Sequence, residues 1–207
     1  MPTPIDLDTW PRRAAYEFFK GFDDPFFNIC SEVEVGPMRA YCEATGSSFF
    51  LACLYAGLRA VHSVDALRLR IRGDQVVLCD RVRGGSTVLN ADESFGFVYV
   101  EYHPEIAVFI ENAEAVLRAH RSAGPSFRPG VGDEVIYFSV IPWIRFSSVS
   151  HARNHRTTES VPKIVFGRFA EHGGGCSLPV SIEVHHALVD GLHVGRFFEA
   201  LQGAFCV

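Results

Sequence analysis

The stretch that most constrains this chain is residues 178–202, where a strand pattern runs straight into a helix pattern. Residues 178–185 are rich in apolar and β-branched side chains, as a strand requires. Val194, Phe197, Phe198 and Leu201 then fall at i, i+3, i+4 and i+7, the stripe of a helix laid against a sheet. Between them run His185-His186-Ala187-Leu188-Val189-Asp190-Gly191, so adjacent histidines and a carboxylate sit at a strand-to-helix junction. Such a junction calls for a layered α/β arrangement.

The remaining patterns agree with a mixed α/β order. A helix is expected over residues 10–19, with Pro11 in its first turn and Ala14, Ala15, Phe18 and Phe19 on one face. Residues 26–35 read as a strand. Residues 36–62 read as two helices broken at Thr45-Gly46-Ser47-Ser48, where a serine can cap the helix that starts at Phe49. Strands over 67–71 and 75–79 flank Arg72-Gly73-Asp74, and further strands are expected near 87–89 and over 95–102, 135–142 and 163–170. Residues 106–119 return to helical spacing, and 173–175 form a turn. No internal repeat or linker divides the 207 residues, so one domain over 1–207 is expected.

Composition narrows the function classes. A formal net charge of −5 argues against nucleic acid as a partner. No apolar run approaches the length that spans a bilayer, and no basic-then-apolar leader opens the chain, which points to the cytoplasm. The six cysteines are scattered without a CxxC pair, so they read mostly as buried thiols rather than as zinc ligands or a disulfide framework.

At the junction, successive strand side chains point to opposite faces, so His185 and His186 do not chelate one ion together; one faces packing, the other a cleft. A metal site from His186, Asp190 and His193 matches in ligand type, but no fourth ligand cluster accompanies it, and no metal is expected. Asp190 can cap the following helix and accept from a basic partner. The chain lacks the GxSxG elbow of a serine hydrolase and the GxGxxG loop of a Rossmann domain.

The run His185-His186-Ala187-x-x-Asp190-Gly191-x-His193-Val194-x-Arg196-Phe197 resembles the signature of the chloramphenicol acetyltransferase family. The likeness extends through Trp10-Pro11-Arg12-Arg13, residues 60–71 and Phe138-Ser139-Val140-Ile141-Pro142-Trp143, covering essentially the whole chain. The dihydrolipoamide acyltransferase cores share the shorter His-x-x-x-Asp-Gly element. The resemblance implies a two-layer α/β sandwich with a mixed sheet and direct acetyl transfer from acetyl-CoA to an acceptor hydroxyl, without an acyl-enzyme. It also implies a homotrimer whose sites lie at subunit interfaces.

By the same resemblance His186 is the general base, Ser139 donates to the oxyanion, and Asp190 pairs with Arg12 to support the site. Phe18, Phe19, Phe95 and Phe127 fall near acceptor-pocket positions, although core packing accounts for any one aromatic equally well. Val165 replaces a family threonine and Phe19 a tyrosine. His151, Arg153 and Lys163 stand where the family pocket is largely apolar, which implies a more polar or anionic acceptor if they enter it; the run 150–156 also reads as a solvated loop. Two alternatives follow from these departures: an acyltransferase of the same fold with a different hydroxyl or amine acceptor, and a catalytically silent trimer that binds a small ligand.

Overall fold

The structure, a computed structural model, describes residues 2–124, 127, 130, 132–153 and 159–206. Its helices are α1 (Arg13–Phe19), α2 (Gly36–Thr45), α3 (Phe49–His62), α4 (Ile106–Ala123) and α5 (Gly191–Phe205). Its strands are β1 (Thr3–Pro4), β2 (Phe26–Glu34), β3 (Leu69–Arg72), β4 (Gln75–Leu78), β5 (Arg83–Leu89), β6 (Phe95–Val100), β7 (Val135–Val140), β8 (Lys163–Phe166), β9 (Ala170–His172) and β10 (Gly175–His185).

Among the described residues the main sheet has seven strands in the order β2-β10-β8-β7-β5-β6, with β9 also paired to β10. The β5–β7 and β7–β8 pairs are parallel and the others antiparallel, so the sheet is mixed. A small β1-β4-β3 sheet stands beside it.

The helices bury one face of the main sheet. Phe138 of β7, Ile164 and Phe166 of β8, and Ile182 and Val184 of β10 are essentially inaccessible and join the core with Phe197, Leu201 and Phe205 of α5. Phe138 stacks on Phe166 at 6.2 Å and Phe166 meets Phe205 edge-on at 6.4 Å. α3 can lie this close because position 57 is glycine: a Cβ there would stand 2.6 Å from the Phe138 ring. Gly46, at φ 69, closes α2 in the left-handed conformation and lets the chain turn into α3.

Alternation sends the intervening residues to the opposite face, which is polar. There Ser139 follows Phe138, Lys163 precedes Ile164, and Ser181, Glu183 and His185 alternate with Ile182 and Val184.

Three elements depart from the sequence reading. α1 starts at Arg13 rather than Trp10, since residues 10–12 form a turn closed by the Arg13 N–H on the Trp10 carbonyl at 3.0 Å. The strand expected over 163–170 is two strands. Gly167 sits so close to Pro179 and Phe146 that a Cβ would be 2.6 Å from the proline ring, and Arg168 N–H turns aside to the Ile144 carbonyl. Ser48 occupies the N-cap of α3 in extended conformation, but its side chain makes no capping bond.

Candidate active site

β10 ends by pairing His185 with Phe26, and the next peptide continues the ladder through His186 N–H to the Pro25 carbonyl at 2.7 Å. The two histidines then part. His185 is buried, and its Nδ1 accepts from the Ala187 N–H at 3.2 Å, so its proton sits on Nε2. Burial and the nearby Arg153 charge push its pKa down to about 4, and the ring stays neutral.

His186 is half-buried and carries the opposite tautomer. Its Nδ1 lies 3.1 Å from the Val189 carbonyl, which can only accept, so Nδ1 bears the proton and Nε2 keeps a free lone pair. Phe19 stacks on the imidazole at 4.0 Å and 12°, with Phe27 at 4.7 Å on a tilted contact. The ring is therefore fixed in plane and tautomer.

Asp190 anchors the far side of the junction. It caps α5, accepting from Leu192 N–H at 3.0 Å and His193 N–H at 3.4 Å, while its own N–H donates to His193 Nδ1 at 3.2 Å. Its other carboxylate oxygen takes a close ion pair from Arg12. Burial opposes the Asp190 charge, but the Arg12 bond and the adjacent charges outweigh it and hold the carboxyl below its usual value. Arg12 Nε and Nη2 are buried with no acceptor among the described residues. Nor do three His, Cys, Asp or Glu side chains converge there as metal ligands would.

Ser139 lies elsewhere, on β7, beside Val165 of β8, which itself pairs with Ser181 of β10. From Ser181, His186 is five residues further along β10, about 17 Å, and Ser139 is two strands across, about 10 Å. Within one chain the two residues thus stand roughly 20 Å apart and cannot attend one reacting carbon. The aromatic residues divide likewise. Phe18 and Phe19 touch at 4.9 Å beside His186, and Phe95 and Phe127 touch at 5.2 Å on the far edge of the sheet. Phe18 and Phe127 are the most exposed of the four, at 64% and 67%.

Glu183 went unnoticed in the sequence, although it is an acid within a strand buried along nearly its whole length. It is 5% exposed, with Oε1 on Arg153 Nη2 and Oε2 3.3 Å from His151 Nδ1. Burial opposes its charge, but the His151 bond and the Arg153 charge prevail and keep its carboxyl below the usual value. Arg153 is therefore the counterion of this chain's own carboxylate and His151 its hydrogen-bond partner, rather than unpaired cations. Arg153 also lies over the Phe26 ring. Lys163 stands across from Glu183 in the register, yet its ammonium is 3.7 Å from Glu159. Asn154, His155 and Arg156 lie outside the described residues.

A cavity of about 910 Å³ opens where the parallel strands β5, β7 and β8 end, one residue beyond Ser139. The uncapped N-terminus of α3 borders it, as do His120, Arg121 and Arg168. Aromatic walls come from Phe49, Trp143 and Phe169, the last of which carries the Arg39 guanidinium at 4.2 Å. The sequence reading did not single out these residues because they come from four separate elements and connections.

The architecture is a mixed sheet covered by helices on one face, with a fixed histidine at the end of a strand. The fold is shared with the cubic core of the pyruvate dehydrogenase multienzyme complex at a TM-score of 0.66 and 14% identity, over 94% of this chain and 86% of that one. A solved chloramphenicol acetyltransferase superposes at a TM-score of 0.87 with 28% identity, over 99% of this chain and 100% of that one. The sequence is 29% identical to chloramphenicol acetyltransferase 3 of Escherichia coli, covering 97% of this chain and 95% of that enzyme. It is 28% identical to a chloramphenicol acetyltransferase of Streptomyces acrimycini, covering 97% and 93%. The chloramphenicol acetyltransferase family model matches residues 2–202. The chain belongs to the chloramphenicol acetyltransferase family and is an acyltransferase.

Proposed function

We propose that the chain is a single-domain O-acetyltransferase that uses acetyl-CoA as co-substrate and works as a homotrimer with each site shared by two subunits. The observation that carries this reading is the tautomer of His186, whose Nδ1–H is committed to Val189 and whose Nε2 is left to accept a proton. The acceptor hydroxyl gives that proton to Nε2 as its oxygen attacks the thioester carbonyl. Ser139 Oγ–H donates to the oxyanion of the tetrahedral intermediate. Collapse breaks the carbon–sulfur bond, and the departing thiolate takes the proton from His186. Asp190 and Arg12 hold the junction in place rather than relaying protons.

The cavity beyond Ser139 fits the co-substrate chemically. Arg121, Arg168, His120 and a helix N-terminus suit phosphates, and the aromatic walls suit a purine. Its size is that of a small-molecule site. Sharing between subunits is favoured by the separation of His186 from Ser139 and by the exposed aromatic residues at both edges of the sheet. The unfilled Arg12 donors fit the same reading. Six free thiols suit a reducing compartment, in accord with a cytoplasmic enzyme, and no described helix is long and apolar enough to cross a membrane.

Chloramphenicol is the first acceptor to test. Acetyl transfer, followed by release of the CoA thiol, is expected to fall roughly 10²–10⁴-fold in His186→Ala. Acetyl-CoA binding without transfer to any acceptor would instead support a silent ligand-binding trimer. The second reading, a more polar acceptor than chloramphenicol, is favoured by the Glu183, Arg153 and Lys163 side chains on the face that bears Ser139.

A further inference from the structure

We infer that Lys163 selects the acceptor, and that this acceptor is an alcohol bearing an anionic group, a carboxylate or a phosphate, near the acetylated hydroxyl. The inference rests on the transfer reading above and names the substrate class of the same site.

Lys163 pairs with Tyr137 in the register while Ser139 pairs with Val165, so Lys163 and Ser139 are diagonal neighbours on one face. Diagonal neighbours on one sheet face stand roughly 7–8 Å apart, within reach of one small ligand. Among the described residues, three cationic or potentially cationic side chains stand on this wall, and they differ in how firmly they are held. Arg153 and His151 occupy both oxygens of Glu183, whose side chain is only 7% exposed. An acceptor ammonium could reach that carboxylate only by uncovering the Arg153 charge, which is costly in a site this dry. Cationic acceptors are thereby disfavoured.

Among the described residues Lys163 has only a looser partner. Its ammonium lies 3.7 Å from Glu159, beyond hydrogen-bonding distance, and Glu159 is 29% exposed while Lys163 is 13% exposed. A ligand anion can take the place of Glu159 and form the shorter charge-assisted bond that Glu159 does not make. A neutral, apolar acceptor would cover what exposed surface Lys163 retains and return no bond to its charge. His151 and Arg153 then act as positioning residues that keep Glu183 neutralised, and Lys163 meets the substrate.

The test measures thiol release from acetyl-CoA with two matched pairs, 3-phenyllactate against 1-phenyl-2-propanol and glycerol 1-phosphate against glycerol. The wild-type protein is expected to favour the anionic member of at least one pair by about tenfold or more in kcat/KM, chiefly through KM. The pair that responds distinguishes carboxylate from phosphate. Lys163→Met and Lys163→Gln should bring that ratio close to one, while Lys163→Arg keeps most of it; thermal melting and calorimetry with CoA confirm that each variant is folded. A neutral member equal or better in both pairs, or a preference that survives in the folded Met or Gln variant, overturns the inference. Efficient transfer to chloramphenicol alone overturns it as well. Binding of acetyl-CoA with transfer to none of the five acceptors sinks the transfer reading itself, and this inference with it.

Discussion

The two faces of the main sheet are built from alternate residues of the same strands, yet they are held by different physics. On the helix side Phe138, Ile164 and Ile182 pack into a contiguous apolar core against α3 and α5. On the other side Glu183 depends on partners from a distant part of the chain, His151 and Arg153, while Lys163 lies near Glu159, its neighbour four residues earlier. At the β10–α5 junction Asp190 depends in the same way on Arg12. Non-directional burial fixes the first face and tolerates imperfect geometry. Paired charges fix the second, and losing one partner exposes the other. Stability should therefore reside mainly on the helix side and function on the polar side.

Substituting adjacent residues of β7 separates the two most sharply. Phe138→Ala is expected to cost about 3–5 kcal/mol of unfolding free energy by denaturant titration, because a fully buried ring leaves a cavity. Ser139→Ala should leave the denaturation midpoint nearly in place while lowering kcat roughly 10²–10³-fold. A large stability loss in the serine variant would erase the distinction between the faces.

Acid tests one buried group of the polar face, His185, while His62 of α3 and His193 of α5, both also held below the ordinary histidine value by burial, act in the same direction. His185 has a folded pKa of about 4 against an ordinary 6.5, so between these values the unfolded chain binds a proton that the folded chain refuses. Its stabilisation is complete above pH 6.5 and is lost on acidification toward pH 4, by up to about 3 kcal/mol. Glu183 and Asp190, both held below their usual values, continue the loss at lower pH. Melting curves across this range should show a shallower acid limb in His185→Gln. An unchanged limb would mean that burial of this ring is not what the acid attacks. The smallest effect is expected at the junction, where Asp190→Ala should cost about 1–2 kcal/mol through the lost cap and ion pair, with activity falling further than stability.

The helix side was largely legible in the sequence because it repeats. Phe197, Phe198 and Leu201 announce α5, and the strand alternation of β10 fixes which residues enter the core. Tertiary contacts decided what periodicity could not. Nothing local to Gly167 reveals that Pro179 and Phe146 will press on it and split one expected strand into two. The His186 junction was legible because its residues are consecutive, and Asp190 as a helix cap follows from its position. Glu183 carried a signal that could have been used: an acid in an otherwise apolar strand must find a partner. The cavity lined by Arg121, Trp143 and Arg168 had none, since only the sheet order brings together the ends of β5, β7 and β8.

On the proposed reading His186 and Ser139, roughly 20 Å apart in one chain, work together only across a subunit boundary. Mixing subunits tests this directly. His186→Ala and Ser139→Ala, each nearly inactive alone, would be co-expressed with different affinity tags and the mixed oligomers purified through both. If sites are shared, an interface that takes His186 from one variant and Ser139 from the other is fully wild type. Every mixed trimer then holds one such interface among its three, and activity should return to about a third of the wild-type rate. Mixed oligomers no more active than the two parent variants would contradict the account.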